Sequence, residues 1–361
     1  MALYACVAAT GQSAITIIDI SNPANPTFKG SLQGRGSPNY LYWVQDVYVV
    51  GNYAYAASQY DNSLTIIDIS DPANPTFEAN IQGAANYLDD IHGVHVVGNY
   101  AYAAAYVSDA LTIIDVSNPA NPTFKGSIQG AANYLNGAYN VYVMGNYAYV
   151  AAYVSDALTI IDVSDPENPT FKGKIRGAAN YLNGAYNVKV VGNYAYVAAM
   201  LSSALAIIDI SDPENPTLKG SIQGKGSPNY LYWATDVHVV GNYAYVSTRM
   251  DNSLTIIDIS DPANPTFKAS IRGPANYLST AWGVYVVGNY AYVAAQGNHS
   301  LTIIDISDLA NPTFKASIYG FGSPNYLSAP RGVYVFEISA GRKGNPHIDQ
   351  SIYQHVERME R

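Results

Sequence analysis

The densest run of ionisable side chains in the repeated part of the chain is Leu88-Asp89-Asp90-Ile91-His92-Gly93-Val94-His95. Carboxylates beside an imidazole could coordinate a metal ion or carry out general acid–base chemistry. On an extended segment alternate side chains share a side, so Asp90 and His92 can act together while Asp89 points away. One reading is a hydrolase or lyase that uses Asp90 and His92; the plainer one is a solvated loop. Other catalytic signals are poor. The sequence shows no nucleophile paired with a base, no Cys/His zinc spacing and no glycine-rich phosphate loop. Aromatic residues offer a different chemistry. Trp43, Trp233 and Trp282, with Tyr139 and Tyr186, are flat amphipathic rings near amides and carboxylates. Such a set suits a glycan or a peptide, where stacking gives affinity and a few polar groups fix orientation.

These residues are comparable because they occupy equivalent places in a repeat. Leu64-Thr65-Ile66-Ile67-Asp68-Ile69-Ser70 recurs with its Asp at 19, 68, 115, 162, 209, 258 and 305, at gaps of 49, 47, 47, 47, 49 and 47 residues. A fixed period of this size marks a repeat array whose units bury their faces on one another. Each unit reads as four strands. Strand A is Val47-Tyr48-Val49-Val50, followed by Gly51-Asn52, a dipeptide suited to a tight hairpin. Strand B is Tyr53 to Ala57, and strand C is the β-branched run Leu64 to Asp68, patterned for burial on both faces. Ser70-Asp71-Pro72-Ala73-Asn74-Pro75 breaks the regular pattern, and strand D runs from Thr76 to Ile81.

Strands that are apolar on both faces need a sheet on each side. A ring of radially stacked four-stranded sheets meets that need, so an all-β, seven-bladed β-propeller of antiparallel blades is expected. The chain opens on a B strand and closes on an A strand, Val333-Tyr334-Val335-Phe336. The last blade should therefore take strand A from the C-terminal end and strands B, C and D from the N-terminal end. Residues 1–337 form the propeller in this reading. In the tail, 338–361, Ile348, Ile352, Val356 and Met359 fall at the spacing of a short amphipathic helix.

Leu-Thr-Ile-Ile-Asp-Ile-Ser followed by Asp-Pro-x-Asn-Pro resembles the LVIVD repeat, with Ile in place of its second Val. The resemblance covers roughly residues 1–337. It implies a propeller of a prokaryotic family often found secreted or at the cell surface, and it implies little about chemistry.

Function has to be sought where the copies differ. In a meander the A–B and C–D turns share one end of each blade, and these are nearly invariant. The B–C and D–A loops share the other end and hold the variation, and loops on a rigid scaffold are where binding concentrates. Two positions before the first Val of strand A stand Gln45, His92, Tyr139, Tyr186, Thr235, Trp282 and Arg331. One position before it stand Asp46, Gly93, Asn140, Asn187, Asp236, Gly283 and Gly332. Two residues upstream of the first ring come Trp43, Asp90, Gly137, Gly184, Trp233, Thr280 and Ala329. The ligand-binding candidates are Trp43, Gln45, Asp90, His92, Tyr139, Tyr186, Trp233, Thr235, Trp282 and Arg331. Asp46, Asn140, Asn187 and Asp236 could ring a structural Ca²⁺, although a water-filled channel is the simpler expectation and no cofactor is otherwise implied. The repeated Asp of Ile-Ile-Asp reads as an acceptor for turn amides.

Composition narrows the partners. Net charge −9 and only 12% charged residues argue against nucleic acid and anionic membrane surfaces. No apolar run is long enough to insert in a membrane. One cysteine excludes an internal disulfide framework. The expectation is a monomeric, non-enzymatic module that binds a glycan, protein or peptide on its variable face. Its expected place is extracellular or at the cell surface, with any signal outside these residues; a cytoplasmic protein is the alternative. A purely structural surface repeat and the hydrolase or lyase above are the competing functions.

Overall fold

Hydrogen bonding sorts the strands into seven four-stranded antiparallel sheets, each in the order A-B-C-D. The computed structural model describes residues 2–338. Blade one consists of Val44–Val50, Tyr53–Ser58, Ser63–Asp68 and Thr76–Gln82, and blades two to six follow in sequence order. Blade seven combines Pro330–Ile338 as strand A with Ala2–Ala9, Ala14–Asp19 and Thr27–Gln33. Tyr4 pairs with Phe336, Ala5 with Val335, Cys6 with Tyr334 and Val7 with Val333, the register the sequence pattern requires. The propeller thus extends to Ile338, and the amphipathic segment expected in the tail lies outside the described residues.

Burial explains the pattern. Strand C is buried along its length until its final Asp. Each interblade core joins one blade's B and C strands to the next blade's A and B strands; Tyr149, Leu158 and Ile160 meet Val188, Val190 and Val197 in this way. The glycine of each A–B turn lies in the left-handed region, as at Gly51 (φ 57°) and Gly145 (φ 59°). All seven repeat aspartates accept a hydrogen bond from the amide two residues on, from Asp19 with Ser21 to Asp305 with Ser307. These turns are at the surface, so they order the turn without satisfying a buried amide.

Strand A differs from expectation. It begins about three residues earlier, at Val44 in blade one, and a β-bulge shifts its register between Val44 and Asp46. Equivalent shifts occur in the other six blades. The extra residue is Gln45, His92, Tyr139, Tyr186, Thr235, Trp282 or Arg331. The innermost ring therefore belongs to bulged strands, not to loops, and a bulge re-aims its side chain.

Candidate functional site

The bulges turn all seven ring residues into one mouth at the end of the central channel. With Asp46, Asn140, Asn187, Asp236, Gly283 and Gly332 they line a cavity of about 50 Å³. Most of the ring is packed, contrary to a freely solvated loop. Gln45, His92, Tyr186, Thr235 and Trp282 are buried, while Tyr139 and Arg331 are half-buried. Stacking runs round the wall: His92 to Tyr139 at 4.2 Å between centroids, Tyr139 to Tyr186 at 3.9 Å, and Tyr186 to Trp282 at 6.1 Å. Tyr186 spans to Trp282 past blade five, whose ring residue is the small Thr235. The Tyr186 hydroxyl donates to that of Tyr139, and burial pushes the Tyr139 phenol up to about 12. The guanidinium of Arg331 sits over Trp282, its Cζ 4.1 Å from the ring centroid. Its Nη1 donates to Gln45 Oε1 at 2.5 Å, and the Gln45 amide nitrogen donates to Gln59 Oε1.

Other candidates are structural or stand apart. The Thr235 hydroxyl donates to the Trp282 carbonyl at 2.9 Å, tying blade five to blade six. Trp43 and Trp233 do not line the cavity. Trp43 packs on Tyr60, and Trp233 lies under Arg249, whose Cζ also stands 4.9 Å over Trp282. A single platform of three tryptophans is therefore not formed; Trp282 belongs to the ring, and the other two occupy the position two residues upstream of it. That upstream position is left-handed in every blade, including Trp43 (φ 60°), Asp90 (φ 60°) and Thr280 (φ 53°), so it is a backbone requirement met by varied residues. Asp90 and His92 do come together: Oδ1 is 3.2 Å from Nε2. Asp90 Oδ1 is nonetheless buried without a hydrogen-bond partner, as is Nδ1, the other nitrogen of the His92 ring. Burial lowers the pKa of His92, with Asp90 pulling it back up.

The oxygen-rich ring serves the seams. Asp46 Oδ1 accepts from its neighbour Val47 at 2.8 Å, and Oδ2 from Val94 of the next blade at 3.2 Å. Asp236 repeats this with Val237 and Val284, both at 2.8 Å. Glycines let the strands approach at the neighbouring seams: a Cβ on Gly93 would come within 2.8 Å of the Tyr139 carbonyl, one on Gly283 within 2.2 Å of the Arg331 carbonyl, and one on Gly332 within 3.0 Å of Asp46 itself. Burial raises the Asp46 carboxyl to about 7 and that of Asp236 to about 6, against the pull of the amides. A Ca²⁺ ring was one expectation for these residues; their carboxylate oxygens are instead directed at amides. Among the described residues no three His, Cys, Asp or Glu side chains gather to hold a metal.

A second ring went unread in the sequence. The x of each Val-x-Val-Val is Tyr48, His95, Tyr142, Lys189, His238, Tyr285 or Tyr334. Their rings contact one another from His238 through Tyr285, Tyr334, Tyr48 and His95 to Tyr142 at 4.4–4.9 Å, and Lys189 Nζ lies 4.9 Å over Tyr142. This belt backs the mouth. The signal was available in the repeat, but a single strand shows only an alternating polar position there.

The outer loops divide their labour by position. The B–C loops are Gln59–Asn62 in blade one and their equivalents. The first residue packs behind the ring residues, as Gln59 does on Gln45, Tyr106 on His92, Tyr153 on Tyr139, Met200 on Tyr186 and Trp282, and Arg249 on Trp282. The third accepts amides of the adjoining D–A loop, as Asp61 does from Tyr42 and Ser155 from Asn136. The fourth is left-handed in all seven blades and usually accepts an amide from the next blade, as Asp109 does from Gly137 and Asp156 from Gly184 at 2.7 Å. Only the second is exposed in blades one to five. It is Tyr60, Val107, Val154, Leu201 and Met250 in five successive blades, each 46–62% exposed. Blades six and seven carry Gly297 and Gly11 there. The result is a crescent of exposed apolar side chains, one per blade over five successive blades, around a mouth lined by both aromatic and polar groups.

Fold and mouth together define a closed β-propeller whose variable loops lie at one end of a nearly uniform frame. The LVIVD repeat model matches residues 3–33, 43–82, 90–129, 137–176, 184–223, 233–272 and 279–319, and the protein belongs to that family. No curated protein matches it. Among solved structures it is similar to a periplasmic gluconolactonase from Pseudomonas aeruginosa (TM-score 0.73, 12% identity, 94% of this chain and 99% of the other). It is also similar to a functionally unknown protein from Desulfotomaculum acetoxidans (TM-score 0.70, 12% identity, 93% and 99%). A protein from Lactobacillus plantarum is comparable (TM-score 0.70, 15% identity, 93% and 99%). At these identities the likeness is one of fold. Among the described residues no helix is long and apolar enough to cross a membrane.

Proposed function

We propose that the protein is a non-catalytic recognition module that binds a polypeptide across its variable face. The apolar crescent carries this reading. Singly scattered exposed apolar side chains are ordinary, whereas large ones gathered on one face mark interaction surfaces. Here the three neighbouring loop positions are committed to the ring residues and the seams, and the one exposed position is apolar in five successive blades. Val107, Val154, Leu201 and Met250 suit burial against protein side chains better than against a glycan. A cavity of about 50 Å³ is also far smaller than the roughly 300–1,000 Å³ of small-molecule pockets.

The hydrolase or lyase reading draws on the Asp90–His92 contact and on the gluconolactonase of similar fold. It is supported less well: Asp90 does not line the cavity, and the His92 ring is enclosed by Tyr106 and Tyr139. The test is selection of a displayed random-peptide library on the immobilised full-length protein. Affinities of the selected peptides are then compared between wild type and the triple variant Val107→Ser, Val154→Ser, Leu201→Ser. At least tenfold weaker binding at an unchanged melting temperature is expected. Equal affinity for the variant, or a library that yields no binder, would overturn the proposal and leave the structural-repeat reading.

A further inference from the structure

We infer that the channel mouth is a carboxylate receptor, with Arg331 as its anchor and Arg249 as a second cation at its rim. This rests on the recognition reading and names the group that the bound partner places at the axis. Arg331 is the one cationic side chain among the cavity-lining residues. It is held in place by Trp282 beneath it and by Gln45, whose own amide is fixed by Gln59. Both supports are neutral. Arg331 Nε is buried with no hydrogen-bond acceptor, and among the described residues no carboxylate lies within ion-pair distance of this guanidinium. A charge partly withdrawn from water favours a counter-ion, because its buried donor forfeits hydration without return.

The acids nearby do not serve it. Asp46 and Asp236 direct both oxygens to backbone amides, and Asp90, whose Oδ1 has no hydrogen-bond partner, faces His92 Nε2 at 3.2 Å and makes no ion pair with Arg331. The missing counter-ion therefore has to come from outside. Its size is limited by a cavity of about 50 Å³, room for a few water molecules or a group of similar bulk. A planar two-oxygen anion matches the guanidinium fork, which is the geometry arginine recognises best. Arg249 adds a second positive charge above the same indole. The carboxylate has two natural sources, the side group of an Asp or Glu and the C-terminus of a polypeptide.

The test uses the full-length protein and simple probes, read by intrinsic tryptophan fluorescence and thermal shift. Sodium acetate is titrated against acetamide, its neutral isostere, with sodium chloride holding ionic strength constant. A saturable response to acetate alone is expected, abolished in Arg331→Gln, at least threefold weaker in Arg249→Gln and unchanged in the crescent triple variant. N-acetylalanine and N-acetylglutamate N-methylamide then separate the sources; tighter binding of the first assigns a polypeptide terminus, and of the second an acidic side group. Equal responses to acetate and acetamide in the wild type would overturn the inference even if Arg331→Gln failed to fold. So would an acetate response that survives in Arg331→Gln. Loss of the acetate response with crescent-dependent peptide binding intact would remove this site and leave the interface standing.

Discussion

Replacing Asp46 and Asp236 with asparagine should change how stability depends on pH. Each carboxyl has a folded pKa above its ordinary value, about 7 for Asp46 and about 6 for Asp236, against 3.8 when unperturbed. The folded protein therefore holds these protons more tightly than the unfolded state does. Their contribution is complete below about pH 4 and declines as pH rises through 6 and 7. At about 1.4 kcal/mol per pH unit the loss is at most on the order of 4 kcal/mol for Asp46 and 3 kcal/mol for Asp236. Water in the cavity reduces both, since each acid has an edge on it. The buried histidines work the other way. Burial lowers the pKa of His92 and His238 and brings His95 down to about 3, so their contribution is present above the ordinary 6.5 and lost as pH falls. The two effects oppose each other between pH 4 and 6.5, and the wild-type curve alone cannot separate them. The difference between wild type and the double variant can, because the histidines cancel. Asparagine also gives up one acceptor at each seam, a roughly pH-independent cost of about 1–3 kcal/mol per site. Urea unfolding at half-unit steps from pH 5 to 8 is the assay. The stability difference should move toward the variant by a few kcal/mol across that range. A difference that stays flat, or moves toward wild type, would refute the view that these acids are held protonated at the seams.

Three further outcomes are expected. Deleting residues 333–338 with everything after them should strip the inner partner from the N-terminal B strand and collapse the thermal transition; truncation after Ile338 should preserve it, and equal melting temperatures would refute the clasp. Asp162→Ala should lower stability by less than about 1 kcal/mol in chemical denaturation, because its two bonds to Ser164 form a surface turn. Trp282→Ala should destabilise by about 3–5 kcal/mol, because it empties a packed site, whereas Trp43→Ala, half-buried against Tyr60, should cost clearly less.

The repeat made the frame legible because its signals are local and are written seven times. Blade number, strand order and the clasp register from Tyr4 with Phe336 to Val7 with Val333 all follow from the period and the alternation. The ring at Gln45 and its equivalents was legible as a position, because it is where near-identical units disagree. Its packing was not, because a β-bulge leaves no mark in a pattern of apolar residues, so strand A was started at Val47. Trp282 and Trp43 look alike in sequence but sit two residues apart in their units, which places one in the mouth and the other outside it. The crescent was hidden for another reason. Val107 and Leu201 become informative only once the residues on either side are known to be committed.

The shared seventh blade gives the ring an order in time. The strand that completes the first hairpin of the protein is the last strand of the propeller to leave the ribosome. Six blades can zip together as they emerge, but until Val333–Phe336 appears the N-terminal B strand has an open edge and blade six an uncovered face, and an open edge is a template for pairing with another polypeptide. A product cut short anywhere before that strand is not a slightly weaker propeller but an unclosed one with that edge exposed. Closure thus acts as a proofreading step for length, and only a product translated through its final strand can seal the face on which its loops are displayed.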